Sequence, residues 1–232
     1  MEITAFASGS SGNLYRVVDT AGTPLLLEAG LPLKQIRRAL DFRLSAIRGV
    51  LLSHDHGDHS KGAADVMKAG VDLYCTAGTA AALGLAGHRL HLIKPLEQFT
   101  IGTWTVLPFP VDHDAAEPVG FLLASGDEKA LYLTDAPYCR YTFQGLTHVM
   151  LEVNHSLDIL DAQVAAGVID HDLRNRIRRS HMSLEAAKDL LRANDLSQLR
   201  AVHLIHLSNS NSDAERFGRE IRKLTGRPVY VH

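Results

Sequence analysis

His54-Asp55-His56-Gly57-Asp58-His59 follows directly on the apolar run Val50-Leu51-Leu52. Four potential metal ligands, His54, His56, Asp58 and His59, fall within six residues at the mouth of a predicted buried strand. Folding alone gives no reason for such a cluster. Imidazole and carboxylate together suit zinc or manganese, with iron as a further option. His54 and His56 alternate by two, so an extended backbone points both to one side. Gly57 permits a turn, after which Asp58 and His59 can face a second ion. One tetrahedral ion cannot comfortably use four ligands from so short a loop, so the remaining donors must come from elsewhere.

Three residues placed after predicted strands can supply them. His113 lies in Val111-Asp112-His113-Asp114, Asp135 follows Ala130–Thr134, and His206 follows Ala201–Ile205. A carboxylate such as Asp135 can bridge two ions, which in two-metal sites sit roughly 3.5–4 Å apart. Taken singly, each of the three reads as a turn or cap residue. Their number and order make them a ligand set.

The 232 residues are 46% hydrophobic and 22% charged, which fits one domain over 1–232 with a full α/β core. A net charge of −2 exerts no global pull on nucleic acid or membrane. Cys75 and Cys139 have no C-x-x-C spacing, so no disulfide framework is expected and a reducing compartment fits. Neither an export signal nor an apolar run of about 20 residues is visible. A cytoplasmic protein without a membrane partner is the expectation.

Periodicity predicts strands over 3–6, 14–18, 24–28, 49–52, 71–75, 104–108, 120–124, 130–134, 148–153, 201–207 and 229–231. Helical spacing covers 33–40, 60–69, 184–193 and 213–224. Ser183 is a candidate N-cap, and Gly226 and Pro228 are stop signals. Many strands followed by strand–helix units suggest two packed sheets flanked by helices, with an ordinary doubly wound sheet as the alternative.

Together these motifs resemble the metallo-β-lactamase-fold hydrolases. The hexapeptide matches the H-x-H-x-D-H signature of that superfamily, and His113, Asp135 and His206 match its later motifs in order. The resemblance implies an αββα four-layer sandwich with two divalent ions at one edge. One ion would use His54, His56 and His113, the other Asp58, His59 and His206, with Asp135 between them. Phe6-Ala7-Ser8-Gly9-Ser10-Ser11-Gly12-Asn13, Leu151-Glu152-Val153-Asn154-His155 and His206-Leu207-Ser208-Asn209-Ser210-Asn211 narrow it further. They resemble the YycJ/WalJ group, which is similar to RNase Z and RNase J and degrades DNA 5′ to 3′. In RNase Z-like enzymes a Glu and a distant His form a proton relay, and Glu152 and His181 match those positions. Asp58 would orient the nucleophile as well as bind metal.

The chain departs from the pattern at Glu28, where an Asp is usual, at Ser180 and Met182 in the G-H-L-S-like stretch, and at Ser210. These changes leave the metal ligands intact and bear on the substrate.

Other signals admit two readings each. Ser10 and Asn13 lie in a Gly/Ser/Asn-rich loop that either approaches an anion or makes a hairpin turn. His155 contacts substrate or supports a ligand. Arg176 and Arg179, in the run Arg174–Arg179, touch a phosphate backbone or form a solvated helix face. The expected substrate is DNA. A small (cyclic) phosphodiester, RNA processing and a non-enzymatic metal-bearing module are the alternatives.

Overall fold

The computed structural model describes residues 1–232. Short alternating runs at the start pleat into a meander. β1 (Glu2–Ala7), β2 (Leu14–Val18) and β3 (Pro24–Leu27) pair antiparallel. A register shift between Ala5 and Ala7 comes just before the Ser/Gly loop, where a bulge bends the chain. The sheet then turns parallel through β4 (Val50–Leu51), β5 (Leu73–Thr76) and β6 (Leu90–Ile93). Parallel neighbours need crossovers. The helices α1 (Leu33–Ala39), α2 (Gly57–Ser60), α3 (Ala63–Lys68) and α4 (Ala77–Ala82) lie in those crossovers. Leu25, Leu26, Leu27, Val50 and Leu51 are all fully buried, as strands covered on both faces must be.

The other sheet has seven strands in the order β13-β12-β11-β10-β9-β8-β7. β7 (Phe99–Ile101), β8 (Trp104–Pro110) and β9 (Val119–Ser125) form an antiparallel run. β10 (Glu128–Leu133), β11 (His148–Glu152), β12 (Ala201–Ile205) and β13 (Val229–Val231) are parallel. Between them come α5 (Leu157–Ala165), α6 (His171–Ser180), α7 (Leu184–Ala193) and α8 (Ala214–Thr225). Two mixed sheets of six and seven strands flanked by helices are the expected αββα architecture. No helix is long and apolar enough to cross a membrane.

The chain resolves into two compact units. The first takes Met1–Pro110 and Ala115–Glu128, the second Val111–Asp114 and Lys129–His232. In the first, Leu26, Val50, Leu52, Val66 and Leu73 centre a buried cluster between sheet and helices. In the second, the apolar stripe of α7 (Leu184, Ala187, Leu190, Leu191) is buried, as are Phe217 and Ile221 of α8. Ser183 and Asp213 cap these helices through Ala186 N and Arg216 N, and Gly226 ends α8 with φ 66°.

The helix expected over 60–69 is only α3, Ala63–Lys68, with α2 ending at Ser60 and a bend between them. The backbone N–H of Gly62 donates to Ala29 O at 2.7 Å, and a Cβ there would lie 2.3 Å from Leu31 O, so the chain is held in a bend. β6, β7, α4, α5 and α6 carry no clear periodic signal. β7 is three residues long, and α6 buries no residue at all, so it has no apolar face for a pattern to reveal.

Candidate metal centre

The first unit presents the hexapeptide. β4 delivers the chain to His54, which is buried, with Nδ1 2.8 Å from Ser53 Oγ. His56 stands at the N-terminal boundary of α2, whose single turn brings His59 back beside His54. The rings of His54 and His56 lie 4.8 Å apart, and those of His54 and His59 lie 4.2 Å apart. Ser60 Oγ donates to the carbonyls of Asp55 and His56, closing the turn.

Two neighbouring strand ends clamp this loop. Asn13 N donates to Asp58 O at 2.7 Å, Ala29 N to His59 O at 2.8 Å, and Gly30 N to Asn13 O at 2.9 Å. The approach is close enough that a Cβ on Gly30 would sit 1.8 Å from Asp58 O, so only glycine fits. Glu28 is fully buried in the left-handed region at φ 67°, accepts from Ser53 N, and lies 3.6 Å from His59 Nδ1. The longer Glu therefore reaches the histidine it supports. A carboxylate behind one ring nitrogen directs the other toward a metal. His59 Nε2 lies 3.5 Å from Asp58 Oδ2 and 3.1 Å from the Asn13 side-chain amide.

The second unit gathers its groups at the carboxyl ends of three adjacent parallel strands, where ligands bind in open α/β sheets. Asp135 follows β10, Glu152 ends β11 and His206 follows β12. Asp135 (φ 46°) and His206 (φ 53°) both adopt left-handed backbone. For non-glycine residues this costs about 1–3 kcal/mol each and marks functional positions. The carbonyl of His206 is held by the side-chain amide of Asn154 at 3.2 Å.

Glu152 is the hub. Its Oε2 accepts from Ala136 N and Met182 N, both at 3.2 Å. Its Oε1 lies 2.7 Å from His181 Nδ1 and 3.3 Å from His206 Nδ1. Burial pushes its carboxyl up, but the His181 charge and these bonds outweigh it and hold Glu152 below the usual range. Burial likewise opposes charge on His181, yet Glu152 and Asp135 raise its pKa to about 10. His113 Nδ1 faces Ser180 O at 3.2 Å. A carbonyl only accepts, so Nδ1 carries the proton and Nε2 carries the lone pair that could bind a metal. That Nε2 is 3.9 Å from Asp135 Oδ2, whereas Asp135 Oδ1 lies 3.4 Å from His206 Nδ1 and 3.5 Å from His181 Nδ1. The two Asp135 oxygens thus face different partners. Ligand atoms of Asp135, Glu152, His181 and His206 lie within 4.8 Å of one another.

This donor chemistry fits divalent zinc, manganese or iron: imidazoles turned by acceptors on one nitrogen, with carboxylates between them. Cysteine takes no part. Burial pushes the Cys75 thiol up to about 12.

The remaining candidates are placed differently. Ser10 is exposed, but Asn13 is fully buried and its side chain is engaged with Gly9, Asp58 and His59, so its bonds hold the hexapeptide loop. Arg176 and Arg179 are exposed on α6, the helix that ends at Ser180 and hands the chain to His181. His155 is 1% exposed, and neither ring nitrogen has a hydrogen-bond partner. Burial drives its pKa down to about 4, against the pull of Glu152. Tyr138 and Arg140, to which the sequence assigns no role, meet on the carboxylate of Asp112, the residue before His113. The position of Asp112 next to a candidate metal donor was their one available signal.

A family model described as a beta-lactamase superfamily domain matches residues 23–207. Exodeoxyribonuclease YycJ of Bacillus anthracis is 26% identical over 233 residues, covering 93% of this chain and 85% of its own. The metallo-beta-lactamase fold protein YhfI from Bacillus subtilis aligns at TM-score 0.73 and 15% identity, over 99% of this chain and 95% of its own. Zn(2+)-bound PqqB from Methylobacterium extorquens aligns at TM-score 0.70 and 16% identity, over 100% and 97%. For these two structures the likeness is one of fold.

Proposed function

Because this chain belongs to the β-lactamase superfamily, we propose that it is a two-metal phosphodiester hydrolase, and within that class a DNA exonuclease working 5′ to 3′. The ligands are those assigned by motif order: His54, His56 and His113 for one ion, Asp58, His59 and His206 for the other, and Asp135 for both. Two such ions supply an acidified water and neutralise charge on a phosphoryl group. The rest falls to the chain. Asp58 orients the attacking water. His181 keeps a proton on Nδ1 toward Glu152 and offers a second, on Nε2, to the leaving alkoxide.

The Glu152 hub carries this reading. One buried carboxylate holds a strand-end imidazole, His206, and a partly exposed one, His181. The DNA substrate rests on the resemblance to the YycJ/WalJ group and on the 26% identity to a protein named as an exodeoxyribonuclease. A net charge of −2 favours a second reading, hydrolysis of a small phosphodiester. End-labelled DNA and RNA, with Mn²⁺ or Zn²⁺ and a His54→Ala control, separate the two. Stepwise loss from 5′ DNA ends supports the exonuclease. Turnover of bis-p-nitrophenyl phosphate without polynucleotide cleavage supports the small substrate. If neither is hydrolysed with any metal, the phosphodiesterase reading fails.

A further inference from the structure

The loop from β10 to β11 carries an exposed Tyr–Arg pair with a shared anchor. The Tyr138 hydroxyl donates to one oxygen of Asp112, and Arg140 Nη2 donates to the other at 2.8 Å. Tyr138 is 50% exposed and the Arg140 side chain 52%. Exposed ion pairs contribute only about 0–1 kcal/mol, so this arrangement does little for stability. It does fix the direction of two side chains that would otherwise sample many rotamers, which lowers the entropy cost of binding. Its location is specific. Asp112 immediately precedes His113, and Tyr138 stands three residues after Asp135, at most about 11 Å along the chain. Arg140 uses one guanidinium nitrogen on Asp112, and a guanidinium has further donors for a phosphate. An exposed ring beside an arginine suits a single-stranded nucleic acid, whose bases offer π-faces and whose backbone offers charge.

We propose that Tyr138 and Arg140 form a nucleotide shelf, the ring stacking on a base of a single-stranded end and the guanidinium contacting the flanking phosphate, with Asp112 holding both. The shelf rests on the phosphodiester reading, since it names what that site takes. It differs from the Arg176 and Arg179 face in reading a base as well as a charge.

The test is fluorescence anisotropy of a labelled single-stranded oligodeoxynucleotide with hydrolysis-resistant phosphorothioate linkages and the whole metal-loaded chain, so that binding is read without turnover. Tyr138→Ala should raise Kd about 5- to 100-fold, while Tyr138→Trp, which keeps a stacking face, should stay within about threefold of wild type. Arg140→Ala should lower the slope of log Kd against log salt by about 0.7. Unchanged binding in both alanine variants, equal loss in Tyr138→Trp and Tyr138→Ala, or no binding by wild type overturns the shelf. Hydrolysis of end-labelled DNA and RNA and of bis-p-nitrophenyl phosphate by the metal-loaded wild type is scored separately. Hydrolysis with unaltered oligonucleotide binding overturns the shelf alone. Lost binding in the variants without hydrolysis overturns the phosphodiester reading and supports the shelf.

Discussion

The hexapeptide region and the strand-end region assemble similar donors in opposite ways. In the first, four candidate donors fall within six residues and one helical turn brings them together, so neighbouring strands need only clamp a loop. In the second, Asp135, Glu152 and His206 are far apart in sequence and meet because β10, β11 and β12 are adjacent. The local design depends on close backbone approach at Gly30. The dispersed design depends on one buried carboxylate and two strained backbone positions.

Removing a donor from either region is the strongest way to break the comparison. Asp135→Ala and His54→Ala should each lower phosphodiester hydrolysis about 10³-fold or more. Metal analysis should show Asp135→Ala losing more metal per chain, because Asp135 is proposed to serve both ions. Equal metal loss would remove the bridging role.

Next comes the clamp. Gly30→Ala forces a methyl group against Asp58 O and should cost about 3 kcal/mol in urea unfolding. A cost near zero would mean that the loop yields easily and the clamp is not needed.

Smaller effects are expected behind the ligands. Glu28→Gln leaves the fold intact and should weaken metal binding about 10- to 100-fold in a chelator competition, by taking the charge from behind His59. Glu152→Gln should weaken metal binding similarly but also slow turnover, since its carboxylate also holds His181. If the two variants behave alike in turnover, the hub has no role beyond holding metal.

The smallest effect concerns acid. Burial holds His203 and His155, both in the strand-end unit, near pKa 4. The unfolded chain takes up these protons below about pH 6.5 while the folded chain does not. Stability therefore falls as pH drops from about 6.5 toward 4, by about 1.4 kcal/mol per pH unit for each residue. His203→Gln should remove one such contribution from the slope of urea unfolding between pH 7 and 5. An unchanged slope would show that His203 titrates normally in the fold.

Much of this molecule is legible in the linear chain because its determinants are local. Leu14–Val18, Leu184–Ala193 and Val229–Val231 fall where periodicity and capping place them. The arginine helix α6 is invisible to periodicity because it buries nothing. The inward role of Asn13 is also hidden, since a Gly/Ser/Asn loop reads the same whether its amide faces solvent or Asp58. The sequence marks Glu28 only as a departure from the usual Asp, and its approach to His59 comes with a left-handed backbone that no residue pattern announces.

The hexapeptide chemistry, the order of the later donors and the caps of α7 and α8 follow from the sequence by itself, because neighbouring residues decide them. Only the tertiary structure decides that Glu152 lies beneath both His181 and His206, that Gly30 has no room for a side chain, and that Asp112 gathers Tyr138 and Arg140. Those relations depend on which strands become neighbours in a sheet. Strand order is set by long crossovers and packing, which no short window of sequence contains.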